Sequence, residues 1–133
     1  ATTEIYTLSL HDALPISYAH CEGMLSTEFK HGPLSAVSDG FPIIFAAGPE
    51  DTNLIISGIN EVNVRGARTI VVGEENASLR ANADDLIVIP ESNPYISSLL
   101  AVLPLQLLSY HMSVMRGYDP DFPRNLSKTL TVD

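Results

Sequence analysis

The sequence predicts a parallel α/β sheet covered by helices, and three observations carry that reading. Short apolar runs rich in β-branched residues recur at 41–47 (FPIIFAA), 69–72 (TIVV) and 86–89 (LIVI). Runs of this kind fit strands covered on both faces. Helical patterns alternate with them, and that alternation is the mark of a parallel sheet. Finally, 133 residues with a hydrophobic share of 45% and a charged share of 17% supply one sizeable core.

In chain order, residues 17–27 (SYAHCEGMLST) are expected to be the end of a helix. Residues 28–39 contain the turn pair Gly32-Pro33 and read as a loop. After the first strand, Gly48-Pro49-Glu50-Asp51 places acids where the dipole of a following helix favours them. Leu54, Ile55, Gly58, Ile59 and Val62 form one apolar helical stripe, closed by Arg65 and by Gly66 as the residue after the cap. Strands at 69–72 and 86–89 follow. Asn93-Pro94 then offers an N-cap residue with proline at the first helical position.

The helix starting there runs to Arg116 and is apolar almost all round, from Ile96, Leu99, Leu103 and Leu107 to Val114 and Met115. It approaches the ~20 residues of a membrane span. Pro104, Gln106, Ser109 and His111 count against one, so an interior or subunit-interface helix is expected. Residues 119–133 hold two prolines and no apolar stripe, and should form an extended tail.

The charge balance excludes some partners. Sixteen acids against seven bases give a net charge of −9, with a pI of about 4.6. Such a surface repels phosphate backbones, so neither nucleic acid nor an anionic membrane is an expected partner. Cys21 is the single cysteine, which rules out an internal disulfide and fits a reducing, cytoplasmic setting.

Residues 1–16 (ATTEIYTLSLHDALPI) lack the basic start of a signal peptide and follow no clean hydrophobic period. They are similar to one reading frame of a sequencing-library adapter, and are expected to be a non-native segment. The domain boundaries expected on that basis are 1–16, a domain over 17–118 and a tail over 119–133.

Few residues are candidates for chemistry. Lys30 and Lys128 are the only lysines, and each, taken alone, reads as a solvated surface residue rather than a catalyst. His31, in Lys30-His31-Gly32-Pro33, carries an imidazole, a group whose unperturbed pKa of ~6.5 suits proton transfer, or it bonds backbone carbonyls. His20-Cys21-Glu22 invites a metal reading. Consecutive helical positions face different ways, however, so no metal is expected there. Cys21 reads as a packed side chain rather than a nucleophile. His111 reads as a hydrogen-bonded core or interface residue. No Walker loop, dinucleotide fingerprint or nucleophile elbow is present, and no cofactor is expected.

Two segments change the odds. Ser17-Tyr18-Ala19-His20 through Glu28-Phe29-Lys30-His31-Gly32-Pro33-Leu34, and the terminal PRNLSKTLTVD block from Pro123 to Asp133, resemble the isomerase half of glutamine–fructose-6-phosphate aminotransferases. Pro104-Leu105-Gln106-Leu107-Leu108-Ser109-Tyr110-His111 fits the same family's late helix. The resemblance implies a partial flavodoxin-like sugar-isomerase (SIS) domain, its first strand and helix missing, with a catalytic tail.

By position, the resemblance implies that Lys128 forms a Schiff base with open-chain fructose 6-phosphate. It implies that His31 opens the sugar ring in the neighbouring subunit's site, and that Ser127 and Glu28 line the sugar pocket. The implied product is glucosamine 6-phosphate, made with glutamine-derived ammonia from a glutaminase domain absent here, and the implied assembly is a homodimer. The chemistry is coherent, because only a neutral amine attacks a carbonyl and a tail closing over the sugar would desolvate Lys128.

The departures bear on activity. The family's proton-transfer glutamate precedes the SYxHxE segment, where Pro15 and Ile16 stand here. The phosphate-gripping loop belongs to a preceding domain. The 133-residue chain is therefore expected to be inactive, as a fragment of an active parent. A non-catalytic sugar-phosphate-binding SIS module and a related amino-sugar deglycase or isomerase are the alternatives. Neither accounts as well for the lysine of the tail together with the histidine of the loop.

Overall fold

The computed structural model describes residues 16–124, so Ser127, Lys128 and all but the last residue of the adapter-like segment lie outside the described residues. The elements are α1 (Ser26–Phe29), β1 (Pro42–Ala46), α2 (Thr52–Asn63), β2 (Arg68–Glu74), α3 (Ala77–Asn82), β3 (Asp85–Ile89) and α4 (Pro94–Met115), with a 3-10 turn over Pro33–Ala36. The three strands pair in parallel in the order β1-β2-β3. Ile44 stands opposite Ile70, and Val72 opposite Ile87. This is the α/β architecture the sequence predicts.

Alternation along β2 builds the two sides of the sheet. Val71 and Val72 are both fully buried, one toward each face. On one face Phe45 and Val71 meet Ile55, Ile59 and Val62 of α2 and Leu79 of α3. On the other, Val72 and Ile89 meet Ala101 and Leu105 of α4. The stripe read from α2 is narrower than expected, because Leu54 is exposed. β3 also departs from a strand covered on both faces: as an outer strand it leaves Ile87 and Val88 partly in solvent.

The helix ends follow the expected local chemistry. Asn93 Oδ1 accepts the N–H groups of Tyr95 and Ile96, with Pro94 at the first helical position. Gly66, at φ +82°, closes α2: its N–H donates to Asn63 and the Ala67 N–H to Val62. That pair of bonds is a Schellman motif, which glycine favours at this position. Gly117 ends α4 the same way, with φ +76° and bonds from Gly117 to Val114 and from Tyr118 to Ser113.

Three expectations need correction. The helix end expected over 17–27 is confined to Ser17, and residues 18–25 are not helical. Tyr18 takes φ +54°, which ends the helical geometry of Ile16 and Ser17, and beyond it Ser26–Phe29 form a separate turn of helix. Helix α3 was not expected. It has six residues and one buried apolar side chain, Leu79, too few for a periodic signal, and Asn76 caps it through bonds from Ser78 and Leu79. His111 is exposed, which removes the core alternative but not the interface one, and its ring lies edge-on to Tyr110 at 5.4 Å.

Helix α4 packs in an unexpected orientation. It is long and apolar enough to cross a membrane by length and composition. The face laid on the sheet nevertheless carries Ser97, Ser98, Ala101, Leu105, Ser109 and Ser113. Small side chains let the helix approach closely, and the Ser98 and Ser109 hydroxyls bond back to the carbonyls of Pro94 and Leu105. The larger residues point away: Leu99, Leu103 and Leu107 are 59%, 53% and 58% exposed.

Candidate functional site

The loop carrying Glu28, Lys30 and His31 is fixed from beneath. Phe29, Leu34 and Val37 pack against the core under α2, pinning the segment at three points. Between those anchors the backbone closes on itself. The Glu28 N–H bonds Leu25, the His31 N–H bonds the Glu28 carbonyl at 3.0 Å, and the Ser35 N–H and hydroxyl both reach the Gly32 carbonyl. Pro33 starts the 3-10 turn, where its missing N–H costs nothing. Glu28, Lys30 and His31 consequently sit exposed on a fixed loop.

A second cluster joins the two ends of the described chain. Ser17 is buried, and its carbonyl accepts from Arg116 Nη1 at 2.8 Å. The rings of Tyr18 and Tyr118 meet edge to face at 4.6 Å and 88°. The Arg124 guanidinium lies over the Tyr18 ring at 4.1 Å, and the Arg124 N–H donates to the Tyr18 hydroxyl at 2.6 Å. Arg116 flanks Tyr118 at 5.6 Å. Gly117 makes the arrangement possible, since its left-handed turn swings Tyr118 back toward Tyr18. The sequence reading missed this cluster, because Tyr18 and Arg124 are 106 positions apart and no spacing links them.

The end of the sheet where the strands finish is acidic. Glu74, Glu75 and Glu91 line an open cavity of about 420 Å³ together with Val88, Ile89 and Pro90. Glu74 accepts from the Ser92 N–H at 2.9 Å. Arg80 grips Glu75 through two nitrogens and holds its carboxyl below the usual carboxylate range. In open parallel sheets ligands commonly bind at the carboxyl ends of the strands. Here the carboxylates oppose a phosphorylated ligand, and the cavity contains none of the residues nominated from the sequence.

His20 and Glu22 pair at 2.9 Å on the exposed stretch before α1. They are not helical neighbours, so the geometric objection raised to a shared metal does not hold; among the described residues no group of three potential ligands is assembled. Burial pushes the Cys21 thiol above its ordinary value, which lowers its thiolate fraction and suits a packed side chain. Lys128 and Ser127 lie outside the described residues, so their distance to His31 and Glu28 is not set by this geometry.

Comparison with known proteins gives a consistent result. The family model described as "SIS domain" matches residues 14–116. A protein of Methanothermobacter thermautotrophicus named glutamine--fructose-6-phosphate aminotransferase [isomerizing] is 46% identical over 134 residues, covering 96% of this chain and 23% of the relative. One of the same name from Thermococcus kodakarensis is 42% identical over 120 residues, covering 89% of this chain and 20% of the relative. The chain thus spans about a fifth of the length of these relatives.

Among solved structures, the C-terminal domain of glucosamine-fructose-6-phosphate aminotransferase from Francisella tularensis superposes with a TM-score of 0.80 at 30% identity. That match covers 88% of this chain and 34% of the other. A glucosamine-6-phosphate deaminase from Thermotoga maritima superposes with a TM-score of 0.77 at 26% identity, covering 96% and 36%.

Proposed function

The chain belongs to the SIS domain family, and from that membership we propose that it is part of the isomerase half of a glutamine–fructose-6-phosphate aminotransferase. The observation that carries the reading is one of joint occurrence. A KHGP loop, fixed by core anchors with His31 exposed, occurs in one chain with the PRNLSK segment that brings Lys128. The similarity to aminotransferases over nearly the whole chain supports it.

In the proposed reaction the neutral amine of Lys128 attacks the carbonyl carbon of open-chain fructose 6-phosphate. A carbon–nitrogen bond forms and water leaves; glutamine-derived ammonia then adds to the imine carbon, the Lys128 amine departs, and transfer of a proton from C1 to C2 of the sugar gives the aldose product. His31 moves the proton that opens the sugar ring, within the range of an imidazole near neutrality. Ser127 and Glu28 contact the sugar. The acidic strand-end cavity takes no part, since Glu74, Glu75 and Glu91 would oppose the phosphate. The 133-residue chain itself does not turn over, because Pro15 stands in the place of the family's proton-transfer glutamate.

The proposal includes a cytoplasmic homodimer in which His31 serves the partner's site. Ile96, Leu99, Leu103, Leu107, Tyr110 and Val114 recur at spacings of three or four, which line up on one helix face suited to a helix-to-helix contact. A second copy laid on this face would remove it from water. The test of the activity is Lys128→Arg in the full-length gene product. Loss of glucosamine 6-phosphate with an unchanged circular dichroism spectrum supports the proposal; retained product refutes it. The Thermotoga likeness favours a second reading, an amino-sugar deaminase, which would release ammonia from glucosamine 6-phosphate without glutamine.

A further inference from the structure

Building on the proposed role of Lys128, we infer that Tyr18 is a positioning residue that fixes the base of the C-terminal tail. Tyr18 holds Arg124 by two independent contacts, the ring under the guanidinium at 4.1 Å and the hydroxyl on the backbone N–H at 2.6 Å. One contact restrains the side chain and the other the main chain, so the position and direction of the chain at Arg124 are both set.

The support beneath Tyr18 is itself anchored. Its backbone is held at φ +54°, a conformation that a bulky residue adopts only when its surroundings enforce it. The enforcing contacts are the bond from Arg116 to the buried Ser17 carbonyl and the edge-on Tyr118 ring. Arg116 and Tyr118 flank the Schellman turn of α4, so the tail base is tied through Tyr18 to the end of that helix.

Lys128 is four residues beyond Arg124, and a chain of that length spans at most about 14 Å. Fixing Arg124 therefore confines where the amine can be. A loose tail would spend most of its time elsewhere, and sugar capture would slow in proportion to the lost occupancy. Tyr18 touches no reacting atom in this account; it acts through Arg124.

Two measurements test the inference with Tyr18→Ala and Tyr18→Phe. In the 133-residue chain, tryptic cleavage after Arg124 requires the guanidinium to leave the Tyr18 ring. Tyr18→Ala should speed that cut about tenfold and Tyr18→Phe less, with cutting after Arg65 unchanged as the control for folding. In the full-length gene product, borohydride trapping of fructose 6-phosphate on Lys128 should slow by a similar factor in Tyr18→Ala at saturating sugar. Tyr18→Phe, which keeps the ring, should recover most of the rate.

Unchanged cutting after Arg124 in Tyr18→Ala overturns the anchor. Faster cutting with wild-type trapping overturns the positioning role. If wild-type protein traps no sugar on Lys128 while Tyr18→Ala still loosens Arg124, the failure belongs to the proposed reaction and the anchor stands.

Discussion

Thr69 donates both its backbone N–H and its hydroxyl to one carboxylate oxygen of Asp84, at 2.7 and 3.0 Å. The Asp84 N–H returns a bond to the Thr69 hydroxyl. This closed set of bonds locks the start of β2 to the residue before β3 and helps fix the strand register. The same donors hold the Asp84 carboxyl below its usual range, the backbone N–H first and the hydroxyl second.

A pH dependence follows. A carboxyl whose pKa is lowered by folding adds stability above its unfolded value of about 3.9, and loses it as pH falls through the folded value. The melting temperature should therefore drop below about pH 4. Asp84→Asn should melt lower near neutrality and show a shallower acid slope. Identical slopes in the two proteins would remove Asp84 from the account, leaving Glu75, also lowered through Arg80, as the source.

Core truncation should be costly at one named position. Ile59 is fully buried between α2 and the sheet. Ile59→Ala should lower the unfolding free energy by about 2–5 kcal/mol in chemical denaturation. Gly66→Ala should also destabilise, by about 1–3 kcal/mol. At φ +82°, its added Cβ would stand 2.7 Å from an Asp39 carboxylate oxygen.

Much of the fold was legible because its signals are local. Asn93-Pro94 and Gly66 announced helix ends through single-residue chemistry, and TIVV announced a buried strand through composition. Other features depend on tertiary contacts. Helix α4 is apolar all round, so periodicity could not reveal that its serines face the sheet and its leucines face out. The irregular path at residues 18–25 follows from Tyr18 meeting Tyr118 and Arg124, partners that neighbouring sequence does not disclose. His31 was recognisable by motif, whereas the anchors that fix its loop, Phe29, Leu34 and Val37, became evident only in the packing.

The exposed face of α4 predicts self-association. Sedimentation of the full-length gene product should give a dimer. Leu103→Glu combined with Leu107→Glu, at residues 53% and 58% exposed in the single chain, should shift it to monomer without altering the helical signal. A wild-type monomer at all concentrations would contradict the interface.

Replacing His31 should slow product formation without unfolding the loop. His31→Asn should reduce the rate by about 10²-fold, the scale of a lost general acid–base group. The melting temperature should hold, because the side chain is exposed and the loop is pinned elsewhere. Wild-type activity in His31→Asn would remove the imidazole from the mechanism.

The most direct test is to incubate the full-length gene product with fructose 6-phosphate, reduce with borohydride, and map the modified peptide by mass spectrometry. The account predicts a single sugar adduct on the ε-nitrogen of Lys128. An adduct on another lysine, or none at all, would contradict it.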